Sequence, residues 1–250
     1  MKDELLRVEN LTYTVGENRS ILKEVSFSIP KGSFTLLLGP NGAGKSALLR
    51  ILKGLYPLKE GTIFLDNEDV TKKEKTRLGK IGLVFQDADS QIVGQSVEKD
   101  LRFGVANMGL EVGEQDRRIE EVLELLSMEN QRHQNPHTLS GGEKRKLAIA
   151  GVLVMQPKLI LLDEPFANLD YRSILATLKL LLRLQQEGHT IILVSHEIEK
   201  CLAHTDYVLV LEQGSLVEEG TPEEVLPKLT AHGVYVPKGK LLKELTWLDR

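Results

Sequence analysis

Cysteine is almost absent from this 250-residue sequence, in which Cys201 is the single example. An internal disulfide is therefore impossible, and the cysteine content gives no sign of an oxidising compartment. A lone cysteine in such a chain usually serves as small core packing. We therefore interpret Cys201 as a buried residue and not as a reactive thiol.

Long apolar runs are also missing. The most apolar pieces, Leu159–Leu162 and Ile191–Val194, fall far short of the roughly 18 residues that mark a membrane-spanning helix. The N-terminal residues, from Met1 to Arg7, mix charges and lack the apolar stretch and cleavage site of a secretory signal. These absences predict a cytoplasmic chain that works at a membrane only through a partner.

An excess of positive charge is the third absence. Lys and Arg number 32 against 36 Asp and Glu, so the net charge is −4, which offers no overall attraction to nucleic acid or to an anionic membrane. We therefore expect no nucleic-acid partner. With 41% hydrophobic and 27% charged residues, the chain has an ordinary globular composition, and its length predicts one large domain with room for an inserted subdomain.

Two kinds of apolar pattern follow one another along the chain. Leu5–Val15 and Ile21–Ile29 alternate apolar with polar side chains, which predicts an antiparallel β-layer. Phe34–Leu38 is continuously apolar, Gly39–Gly44 is rich in glycine and Ala47–Leu55 has helical spacing, which predicts a strand, a loop and a helix. Further short apolar runs, typical of a parallel sheet buried on both faces, are Ile81–Phe85, Leu159–Leu162, Ile191–Val194 and Val208–Leu211. Helical segments separate most of them, so the fold is predicted to be α/β.

A more polar helical region lies between Ser96 and Met155. Its amphipathic stripe consists of Ile119, Val122, Leu123, Leu125 and Leu126. We interpret residues 87–155 as a helical subdomain inserted into a core made of residues 1–86 and 156–227, so that residues 1–227 form one domain. Residues 228–250 form a C-terminal tail, in which Trp247 is either packing, which we favour, or a contact surface. Four tail leucines are predicted to line one helical face: Leu241, Leu242, Leu245 and Leu248.

The glycine-rich loop fits the pattern G-x-x-x-x-G-K-[ST] and lies between a predicted strand and a predicted helix. It consists of Gly39, Pro40, Asn41, Gly42, Ala43, Gly44, Lys45 and Ser46. Glycines let backbone N–H groups face a phosphate, and the helix N-terminus adds partial positive charge. This P-loop predicts ATP binding, with Lys45 on the β- and γ-phosphates and Ser46 as a ligand of Mg²⁺.

Two adjacent carboxylates, Asp163 and Glu164, end the apolar run Leu159–Leu162. Successive side chains of a strand point to opposite faces, so the two carboxylates cannot do the same work. We assign Asp163 to the Mg²⁺ shell and Glu164 to polarising the attacking water. Taken alone, the pair fits equally well a strand that runs into an acidic turn at Pro165. The accompanying P-loop favours the catalytic interpretation.

A second glycine pair begins a predicted helix. The segment consists of Leu139, Ser140, Gly141, Gly142 and Glu143. Ser140 is a good N-cap residue, and the glycines leave backbone N–H groups free for an anion. Together with the P-loop and Asp163-Glu164-Pro165, this segment resembles the ABC transporter ATPase family, in which LSGG-Q is the signature. The resemblance implies a P-loop NTPase core with a mainly parallel sheet, an N-terminal antiparallel layer and an inserted helical subdomain.

The resemblance extends from Tyr13 to about Val225 and implies roles for further residues. Tyr13 is similar to the aromatic residue that stacks on adenine, and Gln86 to the residue that senses the γ-phosphate and the partner. Asp170 resembles the residue of the loop that crosses the dimer interface, and His196 resembles the switch histidine at the γ-phosphate. Without the family, a histidine after a strand is more often structural. The implied catalytic residues are Glu164, His196, Gln86 and Lys45, and the implied metal ligands are Ser46, Gln86 and Asp163.

Two positions depart from the family pattern. Glu143 stands where glutamine is commoner, and the crossing loop, Phe166–Asp170, reads Phe-Ala-Asn-Leu-Asp in place of the frequent Ser-Ala-Leu-Asp. A carboxylate at the helix start suits the helix dipole but is slightly unfavourable for holding a phosphate nearby. We therefore expect nucleotide to drive the closure of a pair of ATPase subunits less strongly.

Similar family members act as head-to-tail pairs, with each ATP between the P-loop of one subunit and the signature of the other. The 94 residues that separate Lys45 from Leu139, on a separate subdomain, agree with this arrangement. The resemblance thus implies a second ATPase subunit, either an identical copy or a paralogue. ATP binding would close the pair and hydrolysis would open it.

Within the family, two segments resemble the ATPases of energy-coupling factor and cobalt or nickel importers. They are Arg145–Leu153 and Val84–Gly94, the latter followed by Ser96, Val97, Asp100, Phe103 and Gly104. Those importers combine such ATPases with an integral membrane coupling protein and a small substrate-binding membrane protein. We therefore expect the chain at the cytoplasmic face of a membrane, where the surface between Gln86 and Asp100 receives the coupling helices. The solute, a vitamin or a transition-metal ion, stays open.

The alternative is an ATPase of the same family that works outside transport, in DNA repair or translation. DNA-repair members separate the P-loop from the signature by a long coiled coil, and no sustained heptads occur in this interval. Translation factors carry two ATPase domains, whereas this sequence has one set of motifs. The transport interpretation is therefore favoured.

Overall fold

Strands and helices alternate along most of the chain. The structure, a computed structural model, describes residues 3–16 and 19–248. Its strands are β1 (Glu4–Val15), β2 (Arg19–Pro30), β3 (Phe34–Leu38), β4 (Glu60–Leu65), β5 (Glu68–Asp69), β6 (Ile81–Val84), β7 (Leu159–Asp163), β8 (Thr190–Val194), β9 (Tyr207–Glu212) and β10 (Ser215–Gly220). Its α-helices are α1 (Lys45–Lys53), α2 (Glu74–Lys80), α3 (Val97–Ala106), α4 (Val112–Leu126), α5 (Gly141–Leu153), α6 (Tyr171–Gln186) and α7 (Pro222–Val225). The prediction that no secretory signal is present rests partly on Met1 and Lys2, which lie outside the described residues. The last two residues of the tail also lie outside them.

The larger sheet has the strand order β10-β9-β3-β8-β7-β6, and only β10 runs antiparallel to its neighbour. Every residue of β3, β7 and β8 is buried, as expected for a parallel sheet covered on both faces. Alternate residues serve two cores: Leu36 and Leu38 pack against the helices α3 to α6, whereas Leu37 packs against α1 and the smaller sheet. The predicted α/β fold is confirmed.

The smaller sheet is antiparallel, in the order β2-β1-β4-β5. The predicted antiparallel layer is therefore present, although the sequence analysis did not foresee β4, β5 or β10. These strands are short, and most of their residues are exposed or only partly buried. In β4 only Ile63 and Leu65 are buried, so the alternation is too brief to stand out from a loop.

The predicted helical region, from Ser96 to Met155, consists of α3, α4 and α5, with two 3-10 turns, Glu129–Gln131 and Pro136–Thr138, between α4 and α5. The stripe of α4 faces the core: Ile119, Val122, Leu123 and Leu126 are buried, and Leu125 is partly buried against them. These helices pack on the same side of the larger sheet as α6. No helix within the described residues is both long and apolar enough to cross a membrane.

The helical prediction for the C-terminal tail is wrong. Within the described part of the tail, helical structure is limited to the end of the 3-10 helix Leu226–His232 and a 3-10 turn at Leu242–Glu244. The four leucines do not share a face, because Leu245 is completely buried while Leu241 is 60% exposed. Trp247 packs against Tyr171, with 5.4 Å between ring centroids. The predicted burial of Cys201 is confirmed, and burial raises the pKa of its thiol to about 12.

Gly39 offers a test of the junction between β3 and the P-loop. Its φ is +137°, and a Cβ there would lie 1.9 Å from the carbonyl oxygen of Leu211 in β9. We expect Gly39→Ala to lower the free energy of unfolding by at least about 2 kcal/mol, because the backbone must move or the strands must part. In α4, Gly113 has open space around its Cβ position, so Gly113→Ala should stabilise by up to about 1 kcal/mol. Urea unfolding measures both variants. An unfolding midpoint of Gly39→Ala equal to that of the unsubstituted chain would contradict the clash.

Candidate functional site

The site forms where β3, β7 and β8 end next to one another. The P-loop follows β3, Asp163 and Glu164 come at the end of β7, and His196 follows β8. Because parallel neighbours end at the same edge of the sheet, three segments far apart in the chain meet here. This edge is where open α/β sheets commonly bind ligands.

Lys45 begins α1 and is almost entirely buried, with 6% of its surface exposed. Its ammonium donates to the carbonyl oxygens of Gly39, at 2.7 Å, and Pro40, at 2.9 Å. Burial lowers the pKa of Lys45, while the nearby charges of Glu164 and Asp163 oppose this change. The first N–H groups of α1 have no acceptor within the helix. Lys45 and these N–H groups together fit a phosphate, which forms stronger charge-assisted hydrogen bonds than a neutral carbonyl does.

Ser46 and Asp163 place two oxygen atoms side by side. The Ser46 hydroxyl donates to Asp163 Oδ1 over 3.1 Å, close to the roughly 2.9 Å that separates neighbouring oxygens in a Mg²⁺ octahedron. Among the described residues no group of three or more His, Cys, Asp or Glu is arranged to hold a metal. A hydroxyl and one carboxylate suit Mg²⁺ that is bound mainly by waters and substrate phosphates.

Glu164 has a strained backbone and a carboxylate oxygen, Oε1, without a hydrogen-bonded partner. Its φ is +48°, a left-handed conformation that costs about 1–2 kcal/mol in residues other than glycine. Its N–H is held by the carbonyl of Val194 at 3.1 Å. Oε1 is buried and lies 3.1 Å from His196 Nε2, but without the alignment of a hydrogen bond. Burial raises the pKa of Glu164 to about 7, which suits a group that takes a proton near neutral pH.

His196 completes this corner of the site. Its side chain is 40% exposed, and burial, followed by the charge of Lys45, lowers its pKa. The imidazole is therefore neutral at neutral pH. A neutral ring offers one N–H donor and one acceptor, so it can contact a phosphate oxygen without adding a full charge.

A cavity of about 540 Å³ brings most of the predicted site residues together. Its lining includes ten of them: Asn41, Gly42, Ala43, Gly44, Lys45, Ser46, Gln86, Asp163, Glu164 and His196. Arg19 and Glu197 also line it, and the sequence analysis missed both. Arg19 lies far from every motif and carried no sequence signal. Glu197 directly follows His196, so its position was the available hint.

Tyr13 does not line this cavity. It stacks on Tyr56, with 5.7 Å between centroids and 13° between ring planes, and it pairs with Leu22 in β2, next to the cavity residue Ile21. Stacking on adenine therefore stays a prediction for this residue. Gly39 and Pro40 also lie outside the lining and act through the carbonyl groups that hold Lys45.

The signature segment lies apart from this cavity, at the start of α5. Ser140 caps the helix: its Oγ accepts from the Glu143 N–H, and Glu143 Oε2 accepts from the N–H and the hydroxyl of Ser140, at 2.8 and 2.7 Å. These hydrogen bonds lower the pKa of Glu143. Glu143, where the sequence differs from the family signature, thus forms half of a capping box. Gly142 has a second role, because a Cβ there would lie 2.3 Å from Ser173 Oγ in α6.

Gln86 is tied to the signature helix through its backbone. Arg145, buried in α5, donates to the carbonyl oxygens of Phe85, at 2.7 Å, and Gln86, at 2.6 Å. Gln91 adds a second link, accepting from the Phe85 N–H and donating to the Ala148 carbonyl. Neither structural role was predictable from the sequence, because contacts across about 60 positions leave no local pattern.

Asp170 caps α6, where its carboxylate accepts from the Ser173 N–H at 2.7 Å. The residues before it, 167–169, line a smaller cavity of about 260 Å³ with Gln86, Gly141 and Lys144. The crossing loop, the signature helix and the loop of Gln86 thus meet at one place. The proposed dimer contact of Asp170 stays a prediction.

Comparison with known proteins decides the family. The model of the ABC transporter family matches residues 22–167, which is more than half of the chain. This chain belongs to the ABC transporter ATPase family. It is similar to the energy-coupling factor transporter ATP-binding protein EcfA of Methanocaldococcus jannaschii, with 39% identity over 88% of this chain and 80% of the relative. It is also similar to EcfA of Carboxydothermus hydrogenoformans, with 41% identity over 86% of this chain and 80% of the relative.

Solved structures agree with this assignment. The structure of cbiO1 from Clostridium perfringens, described as part of the ABC transporter complex cbiONQ, has a TM-score of 0.83 and 37% identity, over 91% of this chain and 92% of that one. A nucleotide-free ATP-binding cassette of an ABC transporter also has a TM-score of 0.83, at 28% identity, over 94% of this chain and all of that one. The chain is therefore an ATP-binding, ATP-hydrolysing protein of the transport class, and the predicted resemblance is confirmed.

The raised pKa of Glu164 predicts an unusual dependence of stability on pH. Its folded pKa of about 7 exceeds the ordinary 4.5, so the folded state holds this proton more tightly than the unfolded state. The resulting stabilisation is complete below about pH 4.5 and is lost as the pH rises through 7. The Glu164→Gln variant has no ionisable group at this position, so its stability does not fall with rising pH for this reason. In metal-free, nucleotide-free protein, we expect the variant's advantage in unfolding free energy to grow by about 1–3 kcal/mol between pH 5 and 8. Denaturant unfolding at both pH values measures the effect, and a constant difference would contradict the raised pKa.

Proposed function

We propose that this chain is the nucleotide-binding subunit of an energy-coupling factor type importer and that it hydrolyses Mg-ATP at the cavity around Lys45. The observation that carries the hydrolytic part is the meeting of Lys45, Asp163, Glu164 and His196 at one edge of the sheet. The importer type is supported by the similarity to the EcfA proteins and to cbiO1.

In this proposal the P-loop binds the phosphates. The ammonium of Lys45 exchanges its bonds to the Gly39 and Pro40 carbonyls for the β- and γ-phosphate oxygens, while the N–H groups at the start of α1 donate to the same anion. Ser46 and Asp163, with Gln86 at the same cavity, would hold Mg²⁺, which when bound neutralises charge on the phosphates. Tyr13 would lie beside the adenine.

Glu164 is the proposed general base. Its buried Oε1 has no hydrogen-bonded partner, so it can accept a proton from a water placed in line with the γ-phosphate. His196, close to Oε1 and neutral, contacts the γ-phosphate and the same water. The strained backbone fixes the carboxylate toward the cavity, so little reorganisation is needed when the water is bound.

The site also requires a second ATPase subunit. The signature residues lie on the helical subdomain, residues 87–155, and do not line the cavity of the core, residues 1–86 and 156–227. In a head-to-tail pair, Ser140 and the N–H groups at the start of α5 in one subunit reach the ATP of the other. Asp170 then lies at the contact between the subunits. The partner is either an identical copy or a paralogue.

Two substitutions separate binding from hydrolysis. We expect Lys45→Ala to abolish ATP binding, because the cavity loses its buried positive charge. Glu164→Gln should keep binding, lower turnover by at least about 100-fold and accumulate an ATP-dependent dimer. Nucleotide binding by fluorescence polarisation, phosphate release and size-exclusion chromatography provide the three measurements. Normal turnover in Glu164→Gln would refute its role as the base.

A second cavity supports the proposal that a membrane protein binds this chain. It has a volume of about 490 Å³, lies between the core and the helical subdomain, and is lined mainly by apolar groups. Five exposed apolar side chains line it: Leu55, Leu78, Val93, Phe103 and Met108. Gln91, Val93 and Asp100, from the surface predicted to receive coupling helices, also belong to it. We propose that an integral membrane coupling protein inserts here, with a separate small membrane protein binding a vitamin or transition-metal ion. The chain then lies at the cytoplasmic face.

Phe103 tests this docking surface. Its side chain is 61% exposed, and a charge placed there would be buried by an inserted helix. We expect Phe103→Glu to prevent recovery of the membrane coupling protein when the tagged chain is purified from detergent-solubilised membranes of its source. Val112→Glu is the control, because Val112 is 65% exposed but lies at the start of α4, outside the cavity.

Mass spectrometry of the two purified samples identifies the partners. Equal recovery of a coupling protein with both variants would contradict the docking surface. Recovery of no membrane protein with the unsubstituted chain would contradict the transport role itself.

A further inference from the structure

The end of the C-terminal tail packs on the segment that follows His196. This segment, residues 197–204 and called here the switch segment, contains two short 3-10 turns, Ile198–Lys200 and Leu202–His204. Such turns have poorer hydrogen-bond geometry than an α-helix. The segment therefore depends on contacts from outside to keep one conformation.

The tail supplies those contacts. The Ala203 N–H donates to the Leu245 carbonyl at 3.0 Å, and the Trp247 N–H donates to the Lys200 carbonyl at 3.2 Å. His204 Nε2 lies 2.6 Å from the Thr246 hydroxyl, and Leu245 is completely buried. Residues 245–247, called here the brace, thus bind the switch segment from Lys200 to His204, by backbone and side chain together.

Lys200 is the charged centre of this contact. Its side chain is nearly completely buried, and its ammonium is hydrogen-bonded to the carboxylate of Glu197. The same ammonium lies 4.8 Å from the ring centroid of Trp247 and 5.8 Å from that of Phe166, within the range of cation–π attraction. A buried ammonium needs such partners to offset its lost hydration. Because Glu197 lines the nucleotide cavity beside His196, the contacts run without a break from the indole to the cavity.

Trp247 also reaches the other loop at the proposed dimer contact. Its ring packs against Tyr171, the first residue of α6 and the neighbour of Asp170. Phe166, whose ring centroid lies 5.8 Å from the Lys200 ammonium, begins the crossing loop. The Trp247 ring and the Lys200 ammonium therefore connect the switch segment to the two ends of the crossing loop, at Phe166 and at Tyr171 beside Asp170.

We propose that Trp247 and Lys200 are positioning residues, which hold Glu197 and the switch segment so that His196 faces the nucleotide, and that the brace makes this segment move together with the crossing loop. The inference rests on the proposed roles of His196 and of the cavity in ATP hydrolysis. It gives the C-terminal tail a function in turnover. ATP affinity should depend little on the brace, because the P-loop lies outside it.

Steady-state hydrolysis by the full-length chain tests the kinetic part. We expect Trp247→Ala and Lys200→Met each to lower kcat by about 5-fold or more while KM for ATP changes by less than about 2-fold. Because the two act as one unit, the double variant should lose little beyond either single variant. Trp247→Phe keeps a ring above the ammonium and should retain most of kcat, which also guards against a folding defect in Trp247→Ala. Leu241→Ala, at an exposed residue of the same tail, is the control and should match the unsubstituted chain.

Trp247 is the single tryptophan of the chain, so its fluorescence reports on the brace directly. Titration of the full-length Glu164→Gln variant with Mg-ATP should shift or quench the emission as the switch segment responds to the γ-phosphate, and Mg-ADP should do so less. Because pairing itself would alter the surroundings of Tyr171 and Trp247, the Glu164→Gln, Lys200→Met double variant is titrated in parallel, and a merely structural contact would give the same emission change in both variants.

The outcomes separate the two proposals. If the unsubstituted chain hydrolyses ATP while Lys200→Met and Trp247→Ala keep kcat within about 2-fold, or while the emission ignores the γ-phosphate, the brace is overturned and the proposed function stands. If the unsubstituted chain does not hydrolyse ATP, the proposed function falls, and the brace that rests on it falls too.

Discussion

The buried ammonium of Lys45 is the charge on which the arrangement of the site depends. Its hydrogen bonds go to two neutral carbonyl groups of its own loop, and the carboxylates of Asp163 and Glu164 are the charges that oppose the lowering of its pKa. Burying an ammonium is unfavourable without strong partners. The turn at Gly39 aims the two carbonyls, and the order of β3, β8 and β7 brings the carboxylates close. A phosphate that enters this cavity supplies an anion that hydrogen-bonds directly to the ammonium, a place that two carbonyl oxygens now fill.

The same balance explains the state of Glu164. The carboxylate of Asp163 accepts a hydrogen bond from the Ser46 hydroxyl, whereas Glu164 has a buried oxygen, Oε1, that has no hydrogen-bonded partner. Burial therefore dominates and raises its pKa to about 7, although Lys45 acts in the opposite direction. The left-handed backbone adds a further cost of about 1–2 kcal/mol. Strain and an unsatisfied carboxylate at one residue are tolerable because β7 and β8, buried on both faces, fix the backbone around it.

Motifs with local spacing were predictable, and contacts between distant segments were not. The P-loop, the acidic pair and the signature each combine a short pattern with a neighbouring strand or helix, and ten of the predicted residues line one cavity. The tail shows the limit: four leucines at helical spacing predicted a helical face, but Leu245 is buried against the switch segment while Leu241 stays exposed. Burial there is decided by tertiary contacts. Glu143 looked like an imperfect match from sequence, yet the structure accounts for it as a cap of its own helix.

The walls of the nucleotide cavity belong to two differently anchored parts of the molecule. On one side, Arg145 and Gln91 fasten the loop of Gln86 to α5. On the other, His196 is continuous with a segment held by residues 245–247. Displacing Gln86 from α5 would break two hydrogen bonds to a buried guanidinium, at about 1.5–3 kcal/mol each, so the loop is expected to follow the signature helix as one body. A ligand that contacts Gln86 and His196 together therefore acts on the relative position of the two parts, and it changes that position only by the difference in its affinity for the two arrangements.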